Sequence, residues 1–192
     1  MNSIQQNLLK ISLTFENEIY TNIFQGKNNK SLQETFQSSR YKKFKLYTEE
    51  NYSSSLPMML GDFLYALKLK NDMFYKEFLN KYGDLEYSRF MLSDSFQYNL
   101  KGVYFYYVND ELKYIGRCRD SMQKRVNSGY GNISPKNCYI DGQSTNCKVN
   151  ALVTQNRGSV KLKIYPMDDI KEIEELESRL IDELMPEWNG RR

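Results

Sequence analysis

KGVYFYYVNDELKYIG, residues 101–116, decides the fold. Its two runs, rich in aromatic and β-branched residues, flank a turn at Asn109 and Asp110, the pattern of a β-hairpin. Alternation places Tyr104 and Tyr106 on one face of the first strand and Val103, Phe105 and Tyr107 on the other. Downstream, a helix is predicted from about Ser121, capped by Asp120 and stopped at Gly129. A loop follows, then a helix starting after Ser144 or Thr145. VKLKIYPM, residues 160–167, alternates as a third strand. DDIKEIEELESRLIDELMPEWN, residues 168–189, is an amphipathic helix opened by two acids and halted at Pro186.

Upstream of the hairpin the chain reads as mostly helical, with candidates at Ile4–Phe24, Leu32–Tyr47, Met58–Lys70 and Phe74–Tyr82 separated by QGKNNKS and ENYSSSLP. A boundary between Ser93 and Lys101 divides a helical region, 1–98, from a second domain, 99–192. The expected class is α+β: a small, three-stranded, mainly antiparallel sheet flanked by helices behind a helical N-terminal region.

The 192 residues, 40% hydrophobic, can build one sizeable core or two small ones, and 16 Tyr with 10 Phe can fill such cores or stack on bases. The net charge of +3 is modest, but its distribution is not. Lys101–Lys163 holds 11 bases against 4 acids, whereas Asp168–Glu187 holds 9 acids against 2 bases. Histidine is absent, which removes Ser-His and Cys-His catalysis and most zinc sites. Cys118, Cys138 and Cys147 cannot all pair, and no apolar leader or membrane-spanning run is present, so a reducing, cytoplasmic setting without a membrane partner is expected. Cys138 and Cys147 read as buried thiols.

Glu177 breaks the pattern of its helix. At 100° per residue, Ile170, Ile173, Leu180, Ile181 and Leu184 all fall within about 60° of it, so this acid occupies the middle of the apolar stripe. A carboxylate there needs a cation, a donor network, a metal or a proton. Pairing with Arg or Lys and ligation of a metal are both open.

Together, GVY at Gly102–Tyr104 and YIG at Tyr114–Gly116, on consecutive strands with nine residues between the tyrosines, resemble the paired signature of the GIY-YIG nuclease superfamily. Arg125 answers to the family's helix arginine, Glu177 to its glutamate and Asn189 to its terminal asparagine. Arg117 stands where the family often has lysine, and Tyr130, five residues past Arg125, is the candidate for a tyrosine or histidine. Residues 132–150 are longer than the minimal pattern. The resemblance covers about residues 101–192 and implies cleavage of DNA to 5′-phosphate and 3′-hydroxyl ends.

The roles it implies are specific. Tyr104, its phenol pKa lowered by nearby positive charge, takes a proton from the attacking water; Arg117 and Arg125 hold phosphate oxygens; Tyr114 and Tyr130 orient phosphate or water. Glu177 carries one Mg²⁺ (or Mn²⁺). Gly102, Gly116 and Asn189 are structural. Arg119, Lys124, Lys136 and Lys148 are expected to position the DNA backbone. The layout looks most like the small restriction endonucleases, so site-specific or structure-specific cutting is expected, with a cognate DNA methyltransferase as partner if the role is restriction. Cutting both strands suggests a homodimer or sequential nicking. The competing reading is a nucleic-acid-binding module with the same fold and no chemistry.

Overall fold

The computed structural model describes residues 2–190, so the expected domain ends at Met1 and Arg192 lie outside the described residues. Along the chain lie α1 (Asn2–Gln6), β1 (Leu9–Ile11), β2 (Leu13–Tyr20), α2 (Leu32–Thr35), α3 (Lys45–Asn51), α4 (Leu60–Leu69), β3 (Tyr87–Leu92), β4 (Gly102–Val108), β5 (Glu111–Cys118), α5 (Met122–Arg125), α6 (Ser144–Gln155), β6 (Val160–Pro166) and α7 (Ile170–Leu184). The class is α+β.

The main sheet has four strands rather than the expected three, in the antiparallel order β1-β6-β4-β5, and β2 pairs with β3 in a separate ribbon. The extra strand comes from the segment expected to be one helix, Ile4–Phe24. There Leu9–Ile11 pairs with Leu162–Ile164 and covers the edge of β6 that would otherwise stand open. In β2, half-buried Leu13 and Phe15 alternate with exposed Thr14 and Glu16, a period of two that outweighs the helical reading. The expected Leu32–Tyr47 helix is broken into α2 and the start of α3, and Phe74–Tyr82 is instead a 3-10 helix at Met73–Phe78.

Two compact units interleave along the chain. One comprises Met1–Glu18, Ser88–Asn132 and Leu152–Arg192; the other comprises Ile19–Tyr87 and Ile133–Ala151. They do not follow a single cut at 98/99. The second unit is built on aromatic packing, with Phe78 against Phe44, Tyr41 and Phe63. All three cysteines are buried free thiols.

In the first unit the hairpin turn puts Asn109 at φ 50° and Asp110 at φ 65°, the left-handed pair that a two-residue turn of this twist requires and that Asn and Asp tolerate. Helix α7 starts where the Asp169 side chain accepts from Glu172 N at 2.9 Å, and ends at Met185 ahead of Pro186. Its Ile173, Leu176, Leu180 and Ile181 pack on Val103, Phe105 and Ile115, the hairpin face opposite Tyr104. Among the described residues no helix is long and apolar enough to cross a membrane.

Ile173 is fully buried in this layer. Ile173→Ala should lower the unfolding free energy by about 2–5 kcal/mol. An unchanged urea midpoint would remove α7 from the core.

Candidate active site

Strand register builds the first half of the site. β4 and β5 pair Tyr104 with Gly116 and Tyr106 with Tyr114, so these side chains share one face. Tyr130 joins them: its hydroxyl lies 2.8 Å from that of Tyr104 and 3.3 Å from that of Tyr114, with ring centroids 6.3 and 6.4 Å away. The Tyr104 ring lies directly over Gly116, where any Cβ would collide with it. Gly102 has φ +138°, and a Cβ there would strike the Tyr165 carbonyl.

Helix α5 presents Arg125. Its cap is Ser121 rather than Asp120: the Ser121 hydroxyl accepts from Lys124 N at 3.2 Å, while exposed Asp120 faces the Lys124 ammonium at 3.9 Å. A π-helical turn, Val126–Tyr130, follows, with Gly131 N donating to Val126 O at 2.7 Å. Five residues complete this wider turn, so Arg125 and Tyr130 come together despite a spacing that an ordinary helix would splay. The guanidinium of half-buried Arg125 stands 5.9 Å from the Tyr130 ring centroid. Among the described residues it has neither a carboxylate partner nor a hydrogen bond.

The electrostatics correct one expectation. Burial raises the Tyr104 phenol well above its ordinary value, and the neighbouring phenols of Tyr130 and Tyr114 add to this. Arg125 pulls downward, as its charge requires, but desolvation of a wholly buried phenolate outweighs it. Burial likewise raises Tyr106 and Tyr114. Tyr104 is therefore a neutral hydroxyl at ordinary pH.

Glu177 forms the second half. It is 9% exposed, and its Oε2 accepts from Arg117 Nη1 in a short ion pair, realising the paired-acid alternative raised by its place in the apolar stripe. Arg117 also faces Glu174 at 3.7 Å, and Glu174 in turn accepts from Arg119 at 2.9 Å. By strand alternation Arg117 belongs to the face that carries Ile115 and α7, opposite the tyrosines. The candidate residues thus form two groups rather than one cluster. Tyr114 links them: after burial and Tyr130, the charge of Glu177 is among the causes that raise its phenol.

Asn189 ties the end of the domain to the hairpin. Its side-chain oxygen accepts from Ile115 N at 2.9 Å and its amide donates to Ile115 O at 2.7 Å, so it occupies the outer edge of β5 like a neighbouring strand. Trp188 N donates to Lys113 O at 2.8 Å and extends that seam.

The expected DNA contacts divide. Arg119 and Lys124 lie in the first unit, each beside an acid, whereas Lys136 and Lys148 belong to the second. The donors fit a divalent cation in one way only. Among the described residues no three potential ligands gather, but Mg²⁺ keeps most of its waters and needs one or two carboxylates. Glu177 has an oxygen, Oε1, that accepts no hydrogen bond among the described residues. Two residues of the site were given no role from sequence. Glu174 lies three positions before Glu177, on the same helix face, and Tyr106 shares the Tyr104 face by alternation. Searches against family models, curated proteins and solved structures find no match for this chain.

Two outcomes follow from this geometry. Gly116→Ala should displace the Tyr104 ring and destabilise the fold by about 1–3 kcal/mol; a wild-type melting temperature would refute the close approach. The raised phenols make stability depend on alkaline pH. Their folded pKa lies above the ordinary 10.0, so their contribution is whole below about pH 10 and is lost as pH rises, because the unfolded chain releases those protons first. Thermal midpoints measured across that range should fall less steeply for Tyr104→Phe than for wild type.

Proposed function

We propose that the first unit is a divalent-metal-dependent DNA endonuclease of the GIY-YIG type, acting on duplex DNA in a site-specific or structure-specific manner. The observation that carries this reading is Arg125, a half-buried cation against phenol hydroxyls with no acid to neutralise it among the described residues. Withdrawing a guanidinium from water without a counter-ion is costly, and a phosphodiester supplies both the charge and the planar fit.

Burial keeps Tyr104 protonated, so it positions the nucleophile rather than deprotonating it. Its hydroxyl, held 2.8 Å from that of Tyr130, which in turn lies 3.3 Å from that of Tyr114, orients the attacking water, and the water's proton leaves to solvent. The water oxygen forms the new bond to phosphorus, the bond to the 3′-oxygen breaks, and that oxygen takes up a proton from water. The ends are 5′-phosphate and 3′-hydroxyl. Arg117, on the outer strand β5, would have to leave Glu177 and turn round the sheet edge to grip a non-bridging oxygen of the same phosphate. Glu177 would then hold one Mg²⁺ or Mn²⁺ through its freed carboxylate. That ion, when bound, would neutralise charge on the departing oxygen. Restriction in the cytoplasm, with a cognate methyltransferase and two copies acting on the two strands, is the biological setting this reading favours.

The Arg117–Glu177 pair favours a second reading, a phosphate-binding module without chemistry, because it already satisfies the acid. Plasmid and branched DNA incubated with Mg²⁺ separate the two. Cutting by wild type that drops at least about 100-fold in Glu177→Ala is the expected result. Equal activity of the two proteins, or DNA binding without any cutting, would overturn the nuclease reading. Arg125→Ala should weaken binding to every sequence alike, and binding by the wild type should fall as salt rises.

A further inference from the structure

Tyr106 is the tyrosine of the cluster that this chemistry leaves unused. Its side chain is wholly buried, and its hydroxyl has no hydrogen-bond partner among the described residues. The ring stands edge-on to Tyr104, with centroids 6.1 Å apart at 88°, and lies 6.2 Å from the Tyr114 ring. Tyr130 and Arg125 are the ionisable groups whose fields reach its hydroxyl. A buried hydroxyl left unpaired is a standing cost, and phenylalanine would fill the same volume without it. The other hydroxyls of the cluster are joined to one another. Geometry connects the orphan donor to Arg125: Tyr106 packs on Tyr104, the Tyr104 hydroxyl bonds that of Tyr130, and the Arg125 guanidinium stands 5.9 Å from the Tyr130 ring; among the described residues both lack an acceptor of the kind an oxyanion supplies.

We propose that Tyr106 and Arg125 form an oxyanion subsite, in which the Tyr106 hydroxyl donates to one oxygen of the phosphate that the Arg125 guanidinium holds. The proposal rests on the nuclease reading for the ligand being a phosphodiester. Entry requires Arg125 to swing toward the anion, a movement its side chain makes without breaking an ion pair. Among the described residues the Tyr106 hydroxyl likewise gives up no hydrogen bond on binding.

Inorganic phosphate is the probe, titrated calorimetrically and by thermal shift into the full chain. Tyr106→Phe, nearly the same shape, should melt no lower than wild type without phosphate and bind phosphate about tenfold more weakly, the loss of one hydrogen bond to a charged group. Equal affinity, a lower melting temperature of the phosphate-free variant, or no phosphate binding by wild type would each overturn the subsite. The nuclease reading is judged separately on the same preparations: Tyr106-dependent phosphate binding without cutting would keep the subsite and discard the chemistry. Mg²⁺-dependent cutting by a protein whose phosphate affinity ignores Tyr106 would do the reverse.

Discussion

The approach of Tyr104 to Gly116 across the hairpin is the contact around which the first unit is arranged. Because position 116 carries no side chain, the hydroxyl end of the Tyr104 ring can lie against β5, and its hydroxyl reaches Tyr130. The same register brings Tyr106 and Tyr114 onto that face and turns Val103, Phe105 and Ile115 toward α7. One pairing therefore sets both a polar, aromatic face and an apolar one. Neither could shift by a residue without exchanging core for site, since a slip of one inverts every side chain of a strand.

Charge is distributed unequally over those two faces. Arg117 and Arg119 are held by Glu174 and Glu177 and are electrically quiet in this state. Arg125 is not, although it is withdrawn from water and surrounded by groups that burial keeps neutral. A protein tolerates such an imbalance where a ligand completes it. The acids of α7 hold Arg117 on one face, and Arg125 on the other has no acid beside it among the described residues. The Tyr114 phenol is raised by both Tyr130 and the charge of Glu177, after burial.

The π-helical turn shows how backbone geometry rescued a spacing that looked wrong. Five residues from Arg125 to Tyr130 would point the two side chains apart on an α-helix, yet the wider turn brings ring and guanidinium together. Nothing in VNSGY announces that turn; it follows from packing, with Val126 and Tyr130 both buried. The helical reading of Ile4–Phe24 failed for a related reason. Short apolar runs fit either period, and an open edge on β6, formed by residues more than 150 positions away, settled the choice for β1.

The amino-acid sequence by itself determined the hairpin, its turn, the shared face of Tyr104 and Tyr106, and the inward place of Glu177 on its helix. These depend on periods of two and 3.6 residues and on local backbone preferences, which are properties of neighbouring residues. Tertiary structure alone decided that Glu177 meets Arg117 on one side of the sheet, that burial rather than positive charge governs the Tyr104 phenol, and that among the described residues Arg125 stays unpaired on the other side and the Tyr106 hydroxyl has no partner. Ion pairing and desolvation depend on which distant groups share a volume, and no local pattern encodes that.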